Sequence, residues 1–317
     1  MRLRPIVTGL LSYVPGAYQV FNKGPNLSTP AGCYGILFKH LCLMHEAGAP
    51  FAPRQLAEVG PGRSLGTGVL ALLLGTERYV ALDVVPFAQT GDEAQRWVDA
   101  LVALLQRRAA LPNADGFPSL RAFLDDTGAP RLLDDKTLTR ALDPARIAAV
   151  RACLRAVKTN SPGRADGLSL EYRVPWEQIP AGDEGRIDAL FSHSVMELVP
   201  DPLAAYGAMF DLLRPGGVTS HQINYDSHGM SGAWNGHWAY PDWLWRLALG
   251  RKPFLMNRLG HGSQLESMRS AGLEVVNVLT SRRSDGLPAH RLAQRYRGLG
   301  QDLTVVGAVV VARRPGN

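Results

Sequence analysis

Two kinds of hydrophobic block alternate along the chain. One is a short apolar run of strand length; the other is a longer stretch with apolar residues three and four apart. The helical spacing predicts helices over Gly32–Gly48, Gly66–Leu74, Asp92–Ala109 and Pro144–Val157. It predicts further helices from about Asp201 to a stop at Pro215, Gly216 and Gly217, and over Ser263–Gly272 with Ser263 as cap. The Asp92–Ala109 block starts acidic and ends basic, as the helix dipole favours. The short runs predict strands over Leu56–Gly60, Tyr79–Phe87, Leu168–Pro175, Ile187–Val199 and Gly217–Tyr225. Two final runs, Leu273–Arg283 and Asp302–Pro315, have no helix between them and predict an antiparallel hairpin.

Strands alternating with helices define an α/β fold. The expected architecture is a doubly wound, mostly parallel, seven-stranded sheet ending in the antiparallel hairpin. Residues 1–50 read as an N-terminal helical extension. Residues 51–317 read as one domain carrying a helical insertion or lid at about 111–167. The opening "MRLRPIVTGLLSYVPGAY" has two arginines and an apolar run broken by Gly9 and Pro15. It is too short to span a bilayer and lacks a convincing cleavage site. It reads as an amphipathic segment packed on the domain, with membrane-surface contact as the alternative.

Composition narrows this only slightly. The chain has 317 residues, 46% of them hydrophobic, with 34 basic and 28 acidic residues and a net charge of +6. The basic residues are dispersed, which argues against a nucleic-acid partner. Cys33, Cys42 and Cys153 form no CxxC pair, so neither a disulfide framework nor a zinc site is expected. A reducing cytoplasm is the expected location, with no integral membrane segment. A homodimer is compatible with the chain.

The chemistry concentrates at "LAEVGPGRSLGTGVLALLLG", Leu56–Gly75. Ligands of parallel sheets sit at the C-terminal ends of strands. Here Gly60, Gly62 and Gly66 follow the first strand, one residue longer than the dinucleotide fingerprint, with Glu58 just before them. A carboxylate there suits a cationic ligand better than a phosphate. Asp83 closes the second strand, where a carboxylate can grip two ribose hydroxyls.

Taken in order, "AEVGPGRSLGTG", "ALDVV", "IDALFSHSVMELVPDP", "LLRPGG" and the closing strand pair resemble class I S-adenosylmethionine-dependent methyltransferases. The resemblance covers roughly Gln55–Phe87 and Leu168–Arg313. "SHQINYDSHG", "NRL" and "LESMRSAGLEVV" also look like bacterial methyltransferases, some near polysaccharide and secondary-metabolite genes. The resemblance implies S-adenosylmethionine as cofactor, without phosphate but with an ammonium and a sulfonium. Glu58, Gly60, Pro61 and Gly62 would border its methionine part, Asp83 its ribose and Val84 its adenine. Ser192 and His193 would lie beside the methyl group. The third strand ends in Tyr172-Arg173-Val174 without the family's usual acid, which leaves the adenine contact open.

Methyl transfer is an in-line displacement in which positioning does most of the work. A hydroxyl acceptor also needs a base. Polar residues are dense past the fifth strand: His221, Asn224, Tyr225, Asp226 and His228. His228 is the candidate base with Asp226 orienting it; His221 is the second choice. A solvated loop with one core histidine is the alternative. Metal ligation by His221, Asp226, His228 and His237 is a minority reading, because their spacing matches no ligand set.

The segment Ala233–Leu247 holds Trp234, Trp238, Trp243 and Trp245. Trp234 and Trp238, with Tyr225, are expected to line a substrate wall over a sugar or aromatic ring. Trp243 is expected to pack a helix over Pro241–Leu249. The expected activity is methyl transfer to a hydroxyl or amine of a small molecule, for example a natural product or sugar. A nicotinamide-dependent oxidoreductase and a non-catalytic partner protein are the alternatives.

Overall fold

The computed structural model describes residues 2–14, 29–90, 94–112, 118–176, 183–252 and 255–316. In chain order the elements begin with α1 (Leu3–Leu11), α2 (Pro30–Glu46), β1 (Gln55–Val59), α3 (Gly66–Leu74), β2 (Arg78–Leu82) and α4 (Gln95–Gln106). There follow a 3-10 turn, Pro118–Phe123, then α5 (Asp135–Ala141), α6 (Pro144–Ala156) and β3 (Gly163–Ala165). The chain continues through β4 (Leu168–Arg173), β5 (Ile187–His193), α7 (Pro202–Leu212) and β6 (Leu213–Asn224). It finishes with α8 (Asp242–Leu249), α9 (His261–Ser270), β7 (Glu274–Arg282) and β8 (Val305–Arg313). The acidic start expected at Asp92 lies outside the described residues.

The sheet order is β3-β4-β2-β1-β5-β6-β8-β7, mostly parallel with antiparallel terminal strands and helices on both sides. It has eight strands, not the expected seven. The extra strand is β3, paired antiparallel to β4 through Ala165 and Leu168. Asp166 and Gly167 between them both have positive φ, +46° and +77°. That is the Asp-Gly hairpin turn, which leaves two residues between strands.

The chain forms two compact units. The first comprises 26–193, 208–220 and 311–317; the second comprises 1–25, 194–207 and 221–310. β6 and β8 contribute residues to each.

In the first unit, α2 and α3 bury Leu37, Phe38, Leu41, Val69, Leu70 and Leu73 alongside Leu56, Val59, Tyr79 and Phe191 of the strands. α7 ends at Leu212, before the Pro215 stop that the sequence indicates. The Arg314 guanidinium caps its last carbonyls, donating to Phe210 O at 2.9 Å and Asp211 O at 3.4 Å, and also to Leu213 O at 2.8 Å where β6 begins. β6 then begins at once, upstream of the expected Gly217.

In the second unit, α9 starts at His261 behind Gly260, so Ser263 is not its cap. Asp302 takes that role from a distance, accepting the Gly262 N–H at 2.8 Å. The unit also encloses a cluster of Trp234, Trp238, Leu292 and Tyr296.

Candidate functional site

In the first unit, β1 lies between β2 and β5, and the three strands end level. Val59 pairs with Leu82 on one side and Ser192 on the other. The chain leaves β1 toward β2 on one side and later returns to form β5 on the other, so β1 sits at the switch point where open α/β sheets bind ligands. Asp83, Ser192 and His193 therefore border the loop Gly60–Leu65.

Two glycines shape that loop. Gly60 and Gly62 have φ of +73° and +69°. The Gly60 N–H is tied to Leu82 O at 2.8 Å. Among the described residues, a Cβ at Gly62 would find no atom within 4 Å, so the loop faces open space there. Gly66 instead lets α3 pack closely, because a Cβ would meet Cys33 Sγ at 2.8 Å and Trp97 Cε3 at 3.0 Å.

Glu58 is buried, and Thr67 Oγ1 donates to its Oε2 at 2.5 Å. The Tyr79 hydroxyl donates to the same oxygen. Burial pushes the Glu58 carboxyl up to about 7, against the pull of these two hydroxyls. Its negative charge is therefore full only above neutrality.

Asp83 is 8% exposed. Its Oδ1 accepts the Val84 N–H at 2.7 Å and the Val85 N–H at 3.4 Å. Burial pushes it up to about 6. Val84 beside it is 40% exposed, an apolar surface next to the carboxylate.

The end of β4 is taken by structure. The Tyr172 hydroxyl accepts the Ala88 N–H and donates to Val85 O, both at 3.2 Å, bracing the loop after β2. Arg173 and Arg78 share Glu171 and Asp183 in one ion cluster.

Sequence reasoning missed Lys39 and His40, both buried on α2. His40 Nδ1 lies 2.8 Å from Ser220 Oγ, and its Nε2 lies 3.3 Å from His193 Nδ1. Burial pushes the Lys39 ammonium down to about 7. It also pushes His193 down to about 3, with the Lys39 charge helping. The available signal was a Lys-His pair inside an apolar helical pattern.

The acceptor-side candidates lie in the second unit. His221 is fully buried, edge-on to Tyr206, and held neutral by burial, which pushes it down to about 3. Tyr225 is buried with its hydroxyl 3.2 Å from His261 Nδ1.

Asp226 does not orient the His228 ring as expected. Its Oδ1 accepts the His228 backbone N–H at 2.6 Å, which holds a turn where His228 has φ +44°. The carboxylate facing the ring belongs to Glu197, whose Oε1 lies 3.8 Å from His228 Nε2. Glu197 is 2% exposed, and among the described residues neither carboxyl oxygen has a hydrogen-bond partner. Burial pushes Glu197 up to about 8, and burial likewise lowers His228 below the usual histidine range. Sequence reasoning missed Glu197; its signal was a lone acid in the apolar run "SVMELV".

The Asn257-Arg258-Leu259 motif is a brace. Asn257 Nδ2 donates to Met196 O at 2.8 Å and Val199 O at 2.9 Å, fixing the turn that carries Glu197.

The tryptophans differ in burial from what their sequence positions suggest. Trp238 is fully buried and gives its indole N–H to Arg258 O at 2.9 Å; Trp234 packs edge-on to it. Their faces are taken by the core cluster, not open as a substrate wall. Trp243, expected to pack, is 67% exposed. Among the described residues, no group of three or more His, Cys, Asp or Glu side chains could hold a metal ion.

No protein-family model matches the chain. No curated protein matches it either. Among solved structures, it is similar to a geranyl diphosphate methyltransferase in complex with S-adenosylmethionine: 13% identity, 90% of this chain, 85% of that one and a TM-score of 0.44. It is also similar to geranyl diphosphate C-methyltransferase from Streptomyces coelicolor A3(2), at 15% identity over 86% and 75% of the chains, with a TM-score of 0.41. An S-adenosylmethionine-dependent methyltransferase from Mesorhizobium loti is similar at 15% identity over 86% and 95%, with a TM-score of 0.39.

Proposed function

We propose that this chain is a class I S-adenosylmethionine-dependent methyltransferase acting on a hydroxyl or amine of a small molecule. The observation that carries the reading is the glycine loop at the switch point. The left-handed Gly62 faces open space, and the buried Asp83 stands at the end of the neighbouring strand. This arrangement fits a nucleoside held by its ribose, with a chain that passes close to backbone.

Glu58, Gly60, Pro61 and Gly62 would hold the methionine part, Asp83 the ribose and Val84 the adenine face. Ser192 and His193 would border the reactive end. When bound, the cofactor supplies a methyl carbon made electrophilic by its sulfonium. Water exclusion and orientation fall to the protein.

For a hydroxyl acceptor, His228 is the proposed proton acceptor, with Glu197 in place of Asp226 as the carboxylate facing its ring. Nε2 faces Glu197, so Nδ1 is the atom left to take a proton. That tautomer requires a proton on Nε2 and an ionised Glu197 to receive it.

Calorimetric titration with S-adenosylmethionine and NAD tests the cofactor. Binding of the first in the micromolar range and not the second is expected; the reverse rejects the reading in favour of an oxidoreductase. For the base, His228→Gln should lower turnover on the order of a hundredfold with cofactor affinity unchanged. Near-normal turnover with the wild-type pH profile would remove His228 from that role.

A further inference from the structure

Amphipathic helices usually bury their large apolar residues and turn polar ones to water. Helix α1 departs from this: it half-buries Ile6 and Leu11 but leaves a second apolar stripe in the open. Toward α8 it presents Gly9, where a Cβ would lie 2.2 Å from Leu247 O. The Ser12 hydroxyl extends the contact, donating to Gly9 O at 2.5 Å and accepting the Arg251 N–H at 2.7 Å. The Lys252 ammonium reaches Thr8 Oγ1 at 3.2 Å. These small and polar groups, together with the half-buried Ile6 and Leu11, hold α1 in place.

Three of its large residues point elsewhere. Leu3, Val7 and Leu10 are spaced i, i+4 and i+7, on a stripe roughly 130° round the helix from Gly9. They are 78%, 50% and 50% exposed, and Tyr13 and Val14 just beyond are 53% each. These five residues are half of the large hydrophobics exposed among the described residues. The rim is basic. Arg2 and Arg4 are exposed beside the stripe, and the Arg251 guanidinium lies 5.1 Å over the Tyr13 ring. The first fourteen residues contain no acid. Asp242, the acid of α8, is already paired with Arg258 and Arg295.

We infer that α1 is a surface anchor for an anionic bilayer. Its aliphatic stripe beds at the headgroup–acyl boundary, and Arg2, Arg4 and Arg251 meet lipid phosphates. Charge decides for lipid over a protein groove. Apart from the Tyr13 hydroxyl the stripe offers no side-chain hydrogen-bonding group, and its rim is cationic only. One short helix gives weak, reversible binding, so the lipid's charge is the necessary second contribution.

The test is flotation of the full chain with phosphatidylcholine vesicles and with vesicles containing about 30% phosphatidylglycerol. The protein should float with the anionic vesicles, and binding should fall steeply as salt is raised. Leu10→Asp should abolish it. Arg2→Ser with Arg4→Ser should weaken it at least tenfold, at about fivefold for each basic residue. These side chains are exposed, so the melting temperature should stay at the wild-type value.

No flotation with anionic vesicles, or flotation unchanged by Leu10→Asp, overturns the anchor. So does a concentration-dependent dimer that Leu10→Asp dissolves in the absence of lipid, because a second copy would then cover the stripe. None of these outcomes depends on whether the protein binds S-adenosylmethionine.

Discussion

Replacing Asp83 by Asn should make the protein more stable and a poorer binder at once. Asp83 is buried, and its carboxyl is pushed from 3.8 up to about 6 mainly by desolvation. Below pH 3.8 both folded and unfolded chains hold the proton, and nothing is lost. Between 3.8 and 6 the unfolded chain ionises while the folded one does not, so stability falls as pH rises. Above 6 the cost is complete, up to about 3 kcal/mol at 1.36 kcal/mol per unit. Asn keeps an oxygen for the Val84 N–H at 2.7 Å and carries no charge. Its amide hydrogens still need partners, so the expected gain at pH 7.5 is about 1–3 kcal/mol, or several degrees in melting temperature. The gap between variant and wild type should close as pH falls below 4. Cofactor affinity should move the other way. Charge-assisted bonds are worth about 1.5–3 kcal/mol each and neutral ones about 1, so losing the charge on two ribose bonds should cost about 1–4 kcal/mol, at least fivefold in S-adenosylmethionine binding. Scanning calorimetry across pH, with titration of the cofactor, reads both effects. A variant no more stable at pH 7.5 would refute the burial argument, and one that binds normally would refute the ribose assignment.

Gly62→Ala should weaken cofactor binding while costing only about 1–2 kcal/mol of stability, the strain of a Cβ at φ +69°; calorimetric titration beside a melting curve separates the two. Trp238→Ala should cost about 3–5 kcal/mol in chemical denaturation, whereas Trp243→Ala should stay within about 0.5 kcal/mol; equal effects would contradict the difference in burial between these residues. Lys39 is pushed down to about 7 by burial, so its charge opposes folding below that pH and the penalty fades as pH rises toward 10. Lys39→Met should therefore stabilise the protein more at pH 6 than at pH 9.5, and a gap independent of pH would show that the ammonium is not the cause.

The strand–helix alternation was legible because each element buries one period of apolar residues. β1, α3, β2, β4, β5 and the last two strands lie within a few residues of their expected positions, except that β2 and β5 end early. β3 was legible in principle: Asp166-Gly167 is a hairpin signal, but three residues are too few to show alternation. The end of α7 was misplaced because its cap is Arg314, a hundred residues away in sequence. Ser263 failed as a cap for the same reason, with Asp302 supplying the acceptor. Pattern reading sees local chemistry and not a distant side chain. The tryptophans show a related limit. Trp238 and Trp243 lie five residues apart in one aromatic stretch, and only tertiary packing decides which is enclosed.

The residues hardest to read were ionisable groups in apolar runs. Glu197, Lys39 and His40 looked like interruptions of a hydrophobic pattern. In the folded chain, burial draws Glu58, Asp83, Lys39 and Glu197 toward their neutral forms, to about 7, 6, 7 and 8. Each burial opposes folding at some pH, so a sequence under pressure for stability alone would replace them with apolar residues. Three of the four, Glu58, Asp83 and Glu197, are the groups to which the proposed function gives roles, as expected where burial is kept for chemistry. Two lie at the ends of β1 and β2, where the cofactor is proposed to bind, and Glu197 faces the ring of His228. The same reasoning makes them separable. If Glu58 and Asp83 serve the cofactor, affinity for S-adenosylmethionine should rise between pH 5.5 and 7.5 as the two carboxyls ionise. If Glu197 serves His228, turnover at saturating cofactor should rise later, through pH 8. Glu197→Gln should remove the later rise and leave the earlier one in place. A single shared transition in both measurements would mean that these groups titrate as one structural network, and the separate roles would fall.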